Sequence, residues 1–194
     1  MNYSSKKEDI MPKIIENVEQ KIFNTVIKLI DQNGFNKTSM EMIAKETGIA
    51  VGTLYNYFTN KEDLIFHVID QSWQNTFKKL DQILDDNSYD DKKIEKFVIT
   101  LYNEISKRKV IGHELIQNNN IDENKFSKIE SKLKTKFMTL FEIVNKGENK
   151  SPPPLERHRL LETIIVTIIN LSNKYNDHNK NIIFLNDFLD KIIS

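Results

Sequence analysis

Apolar residues recur along most of this chain at steps of three and four, the period of helices that bury one face. Ile22, Val26, Leu29 and Ile30 open the pattern. Leu64, Ile65, Val68, Ile69, Trp73, Phe77, Leu80 and Leu84 extend it over a long stretch that predicts a helix from Lys61 to about Leu84. Asp85-Asp86-Asn87-Ser88 interrupts it. Further helices are predicted from about Asp90 to Lys107, on Ile94, Phe97, Val98, Leu101 and Ile105, and as a shorter piece from Val110 to Ile116. Gln117 to Asn120 predicts a loop, and Phe126, Ile129, Leu133, Phe137, Leu140, Phe141 and Val144 predict another long helix. Gly147 and Ser151-Pro152-Pro153-Pro154 predict a stiff connector before two final helices, Leu155 to Tyr175 and about Ile182 to Ile193. No alternating strand pattern, hairpin signal or internal repeat is present, so the predicted class is all-α.

The segment Thr38 to Leu64 departs from long amphipathic runs. Thr38 and Ser39 form a helix start signal, with Glu41 three residues after Thr38 in capping-box position. Met40, Ile43 and Ala44 supply one apolar face, Thr47-Gly48 ends the helix, and Ile49 re-enters the core. A second short helix is predicted from about Ala50 to Phe58. Leu54 and Phe58 can pack inward, whereas Thr53, Tyr55, Asn56 and Tyr57 occupy the remaining arc. Gly52 lets the backbone approach another molecule closely. Two short helices joined by a glycine turn are the grammar of a helix-turn-helix.

Together with Ile22 to Phe35, ending in Gly34-Phe35, these residues resemble the DNA-binding domain of the TetR/AcrR (tetracycline-repressor) family of bacterial transcription regulators. Thr38-Ser39, Ile43-Ala44, Thr47-Gly48, Gly52-Thr53-Leu54-Tyr55, Tyr57-Phe58 and Lys61-Glu62-Asp63-Leu64 match its pattern at fixed spacing. The match covers about the first third of the chain. It implies an N-terminal three-helix domain over residues 1–62 and a C-terminal helical domain for ligand binding and dimerisation over 63–194. It also implies DNA contacts by Thr38, Ala50, Val51, Gly52, Thr53, Tyr55, Asn56 and Tyr57, with Lys61 on the phosphate backbone. Relatives often carry a polar and a basic residue where this chain has Ala50-Val51. Apolar side chains there suit thymine methyl groups, which predicts an A·T-rich half-site.

Charge complicates that picture. Lys+Arg and Asp+Glu are equal at 28 each. Residues 1–64 carry eight lysines against nine acids, so affinity for phosphates must depend on where cations sit, with Lys37, Lys61 and an arm of Lys6, Lys7 and Lys13 as candidates.

The last two predicted helices are apolar over more of their circumference than one core contact needs. Leu161, Ile165, Ile168 and Ile169 on one, and Ile182, Leu185, Phe188 and Leu189 on the other, are expected at a homodimer interface, as the resemblance also implies. Two reading heads would then face a palindromic operator in double-stranded DNA. For a small-molecule effector, the expected lining is Phe66, Trp73, Phe97, Tyr102, His113, Phe126, Phe137 and Phe141.

Nothing points to catalysis. His67, His113, His158 and His178 lack metal-ligand spacing, there are no cysteines, and the glycines make neither a P-loop nor a dinucleotide fingerprint. No catalytic residues, cofactor, metal or membrane association are expected. The N-terminus lacks a signal-peptide core, consistent with a bacterial cytoplasmic protein. Three functions stay open: a homodimeric ligand-released repressor, a DNA-binding protein of the same fold without an inducer, and an interaction protein that has lost DNA binding.

Overall fold

The computed structural model describes residues 16–86, 92–117, 123–144 and 154–193, without the side chains of residues 16, 17, 19, 110–117, 123–126, 154, 155, 192 and 193. Every regular element among them is a helix: α1 (Glu16–Asn33), α2 (Met40–Thr47), α3 (Val51–Tyr57), α4 (Lys61–Asp85), α5 (Lys93–Gln117), α6 (Glu123–Val144), α7 (Pro154–Lys174) and α8 (His178–Ile193). The chain forms two compact units that meet within α4, between Ser72 and Trp73. The first turns of α4, with Leu64, Ile65, Val68 and Ile69 buried, belong to the first unit, so its extent exceeds the 1–62 expected from the motif alone.

In the first unit α1 packs on α2, and α2 on α3. Ile22, Phe23, Val26, Leu29 and Ile30 line one face of α1 and meet Met40, Ile43, Ala44 and Leu54 in a common interior. Gly34, at φ +79, lets the chain leave α1 while its N–H donates to the Ile30 carbonyl at 2.8 Å. The Lys28 ammonium pairs with Glu46 across α1 and α2 at 3.1 Å, an exposed link of small energetic weight.

In the second unit α5 is the central helix, packed on α6, α7 and α8, with α6 also on α7. It runs unbroken from Lys93 to Gln117, so the expected division between Lys107 and Val110 does not exist. No proline or glycine stands at Lys107-Arg108-Lys109, and the charged run is accommodated inside the helix because Arg108 is buried. The predicted connector at 147 and 151–153, most of the predicted loop at 117–120 and the arm lysines lie outside the described residues.

Phe97, Phe137 and Phe141 form an edge-on aromatic chain, with centroids 6.0 and 5.0 Å apart, inside a core that also takes Leu101, Leu140, Ile164 and Ile168. Several buried polar groups inside this unit bond one another across helices. Asn181 Nδ2 donates to the Tyr102 hydroxyl at 2.9 Å and to the carbonyls of Tyr175 and Leu171, tying α5 to the α7–α8 corner. The Ser106 and Ser172 hydroxyls bond at 2.7 Å across α5 and α7.

Glu104 and Arg108 make a buried ionic cluster between α4 and α5. The Arg108 guanidinium lies 4.0 Å over the Trp73 ring and donates to Thr76 Oγ1 at 3.0 Å. Burial lowers the guanidinium to about 10, against the opposing effect of the Glu104 carboxylate. Burial alone would raise Glu104, yet its bonds from the Lys107 and Lys79 ammoniums at 2.8 and 2.6 Å hold it below the ordinary carboxylate range. Its contribution to stability is therefore complete above the unfolded carboxylate pKa and fades as pH falls through the lowered folded value. Glu104→Gln is expected to cost about 2 kcal/mol in urea unfolding at neutral pH. The difference from the parent chain should shrink on acidification, as the parent loses its carboxylate.

The apolar rows of α7 and α8 separate into an inner and an outer side. Leu161, Ile168, Leu185 and Leu189, all expected at a dimer interface, are packed in the chain's own core. A helix docked on α5 buries positions 161, 164, 168 and 171, so an interface set that joins Leu161 and Ile168 to Ile169 combines this side of α7 with the opposite one. Ile165, Ile182 and Phe188 are half-buried against the core, and Ile169 is exposed. With it Val166, Ile183 and Phe184 stand out, the last stacked on Phe188 at 6.2 Å.

Candidate nucleic-acid interface

The first unit builds its outward face through its helix ends. The N-cap of α2 is Ser39, not Thr38: Ser39 Oγ accepts the Met42 N–H at 3.3 Å. Thr38 is buried and its hydroxyl donates to the Gly34 carbonyl at 3.0 Å, so the capping box expected between Thr38 and Glu41 is absent. Two adjacent hydroxyls divide two jobs, one closing the end of α1 and the other opening α2. Bonds from the Ser39 hydroxyl and from its own backbone amide lower Glu41, so this exposed carboxylate stays ionised at the start of α2. It occupies donors that a phosphate would otherwise meet.

The turn between α2 and α3 is closed by a Schellman motif. Gly48 takes φ +70, its N–H reaches Lys45 O at 3.4 Å, and the Ile49 N–H reaches Ala44 O at 3.1 Å. Thr47 is buried with its hydroxyl 2.6 Å from the Ile43 carbonyl, which fixes the last turn of α2.

From this turn α3 emerges with Ala50 as its N-cap residue. Leu54 is the one buried residue of the helix, and Phe58 just beyond it is buried too. Every other position faces solvent: Val51 at 38%, Tyr55 at 49% and Tyr57 at 51%, with Ala50, Gly52, Thr53 and Asn56 also exposed. The two tyrosines are thus not core residues. A Cβ at Gly52 would meet nothing within 4 Å, so no packing inside the chain asks for glycine there.

Asn60 opens α4 by accepting the Asp63 N–H at 2.8 Å, while Asp63 Oδ2 accepts the Thr59 N–H at 3.0 Å. Lys61 is held rather than splayed. Its ammonium donates to the Phe35 carbonyl at 2.8 Å, sits 4.5 Å over the Phe35 ring and lies 3.9 Å from Glu62. Lys37 is exposed. Sequence reasoning missed the anchoring of Lys61 because its partner is a backbone carbonyl 26 residues away.

Of the expected effector-lining residues, Phe97, Tyr102, Phe137 and Phe141 are fully buried in the second unit's core, and Trp73 packs partly against it. Phe66 lies in the first unit, and the His113 and Phe126 side chains are outside the described residues. Among the described residues no cluster of His, Asp or Glu could hold a metal, and no helix is long and apolar enough to cross a membrane.

Residues 22–68 match the family model of bacterial regulatory proteins of the tetR family. The HTH-type transcriptional regulator SAB2452 of Staphylococcus aureus (strain bovine RF122 / ET3-1) is 44% identical over 72 residues, 37% of this chain and 38% of that protein. SAUSA300_2515 of S. aureus (strain USA300), also an HTH-type transcriptional regulator, is 40% identical over 76 residues, 39% of this chain and 41% of that protein. The chain thus matches about two fifths of the length of these curated relatives, which are named as regulators and not as enzymes. The fold is shared much further. The transcriptional regulator FadR from Bacillus subtilis in complex with stearoyl-CoA superposes with a TM-score of 0.74 at 16% identity, covering 90% of this chain and 97% of that one. The fatty acid degradation regulator FadR from Bacillus halodurans does so with a TM-score of 0.65 at 21% identity, covering 88% and 93%. Residues 22–68 thus carry the helix-turn-helix of the tetR family of bacterial regulatory proteins, and the all-helical fold around it is shared with these solved regulators.

Proposed function

We propose that this protein is a homodimeric transcriptional repressor of the bacterial cytoplasm that binds a palindromic operator through α3 and is released by a small-molecule effector. The observation that carries the DNA-binding reading is the face of α3. A seven-residue helix with one buried side chain is held on two sides by capped turns and presents an open glycine, two tyrosines, a threonine and an asparagine to solvent. Hydroxyls suit phosphate oxygens and Asn56 suits an adenine edge, while Ala50 and Val51 favour thymine methyls and an A·T-rich half-site. Lys61, fixed over Phe35, offers a placed cation at the head of α4. Backbone-positioning contacts need such placed donors when the domain is not basic overall.

Exposed Val166, Ile169, Ile183 and Phe184 support self-association through α7 and α8, since an apolar patch of this kind is unfavourable in water. For the effector, the support is the kinship in fold with regulators of fatty acid metabolism, one of them bound to stearoyl-CoA. Release follows if the effector binds more tightly to a conformation with lower DNA affinity.

Mobility-shift titration of the full chain on its selected duplex tests the reading face. Tyr55→Ala and Tyr57→Ala are each expected to weaken binding by about tenfold, the loss of one good hydrogen-bonding contact, with the melting temperature unchanged because both rings are exposed. Unchanged affinity in both variants would place the contact surface elsewhere.

A further inference from the structure

In a helix-turn-helix the helix before the reader crosses the phosphate backbone, so its opening turn lies where phosphates pass. Here that helix is α2, and the hydroxyl expected to serve a phosphate is turned away: Thr38 is 2% exposed and donates to the Gly34 carbonyl at 3.0 Å. Ser39 Oγ is engaged as well, accepting the Met42 N–H at 3.3 Å. What stands exposed in the first turn of α2 is Glu41, an anion. Its carboxylate takes bonds from the Ser39 hydroxyl and its own amide, and among the described residues no cation pairs with it. On the far side of α3 the arrangement recurs. Glu62 and Asp63 occupy the first turn of α4, and the Lys61 ammonium beside them is committed to the Phe35 carbonyl. Between these two acidic openings, α3 has no acid in its first turn. Residues 1–64 hold nine acids against eight lysines, so no general excess of cations masks Glu41.

We propose that Glu41 is a specificity-determining residue that works by repulsion, lowering affinity for duplexes held through their phosphates alone more than for the sequence that α3 reads. The inference rests on the DNA-binding reading of α3. Non-specific binding is phosphate-driven and samples many registers, and each register that sets a phosphate against Glu41 is penalised. A sequence that α3 reads is held in one register by base contacts, and selection favours sequences whose register keeps phosphates clear of the carboxylate.

Anisotropy titrations of the full chain at low ionic strength, on its selected duplex and on an unrelated duplex of the same length, test the inference. Glu41→Gln is expected to raise affinity for the unrelated duplex by about threefold for each head, about tenfold for two heads, the size of one like-charge contact in water. On the selected duplex the gain should be about twofold or less. The gain on the unrelated duplex should fade as salt rises, because exposed charges are screened beyond about 8 Å at physiological ionic strength. Glu142→Gln, an exposed acid on α6 in the second unit, makes the same change in net charge and should alter neither affinity. Equal gains on both duplexes, no gain on either, or the same gain from Glu142→Gln would overturn the inference and leave the DNA-binding reading in place. A parent chain that holds the two duplexes equally would overturn that reading, and the role of Glu41 with it.

Discussion

Introducing Ile183→Glu together with Phe184→Glu is expected to convert the protein to a monomer and to lower its affinity for a two-half-site duplex by more than about a hundredfold. The magnitude follows from coupling two reading heads: in a dimer the second half-site is met at high effective concentration, worth on the order of 10²–10⁴ in affinity. Both residues are exposed in the single chain, at 60% and 50%, so the substitutions remove no buried side chain and cost only the stack of Phe184 on Phe188. In an interface the same two carboxylates would be buried against apolar surface without partners. Sedimentation analysis reads the loss of the dimer, circular dichroism the retained helices, and a mobility shift the lost affinity. A variant that stays dimeric would move the interface away from this patch. Leu161 and Leu185 are unsuitable for the same test, because both are buried in the chain's own core and their substitution would unfold it.

Gly52→Leu is expected to abolish operator binding, by about a hundredfold or more, while leaving the fold as stable as before or more stable by up to about 1 kcal/mol. Glycine is a poor helix former, and here nothing inside the chain repays its use: the space around a Cβ is empty. What remains is an approach from outside, by a surface close enough to exclude a side chain. Gly48, four residues earlier, is the control. Its φ of +70 is required by the Schellman turn, so Gly48→Ala should destabilise the domain by about 1 kcal/mol and weaken DNA binding only through folding. Thermal melts and binding isotherms on the two variants separate these effects. If Gly52→Leu binds DNA as the parent does, α3 does not enter a groove.

The turn chemistry of the first unit was legible because each device is local. Gly48 with Ile49 and the burial of Leu54 and Phe58 follow from spacing within a few residues. Where two residues competed for one role, spacing did not decide: Thr38 and Ser39 both suit an N-cap, and the nearby Gly34 carbonyl claimed Thr38. The continuity of α5 is not legible from spacing, because Lys107-Arg108-Lys109 interrupts the apolar positions between Ile105 and Val110. Its signal lay instead in Glu104 and Arg108, four apart on one helix face, together with Thr76 and Trp73 on a distant segment. Periodicity also failed to tell the inner side of α7 from its outer side, since Leu161 and Ile168 face the core while Val166 and Ile169 face water, and all four are apolar. The anchoring of Lys61 on Phe35 and the Asn181–Tyr102 bond are long-range contacts that no local pattern encodes.

Selection of binding sites from random duplexes by the full-length chain, followed by determination of how many chains occupy the selected site, tests the central claim most directly. The account predicts enrichment of a twofold-symmetric, A·T-rich sequence with half-sites about 10 base pairs apart, or a multiple of that turn, occupied by two chains. Failure to enrich any sequence, or enrichment of an asymmetric site held by a single chain, would contradict it.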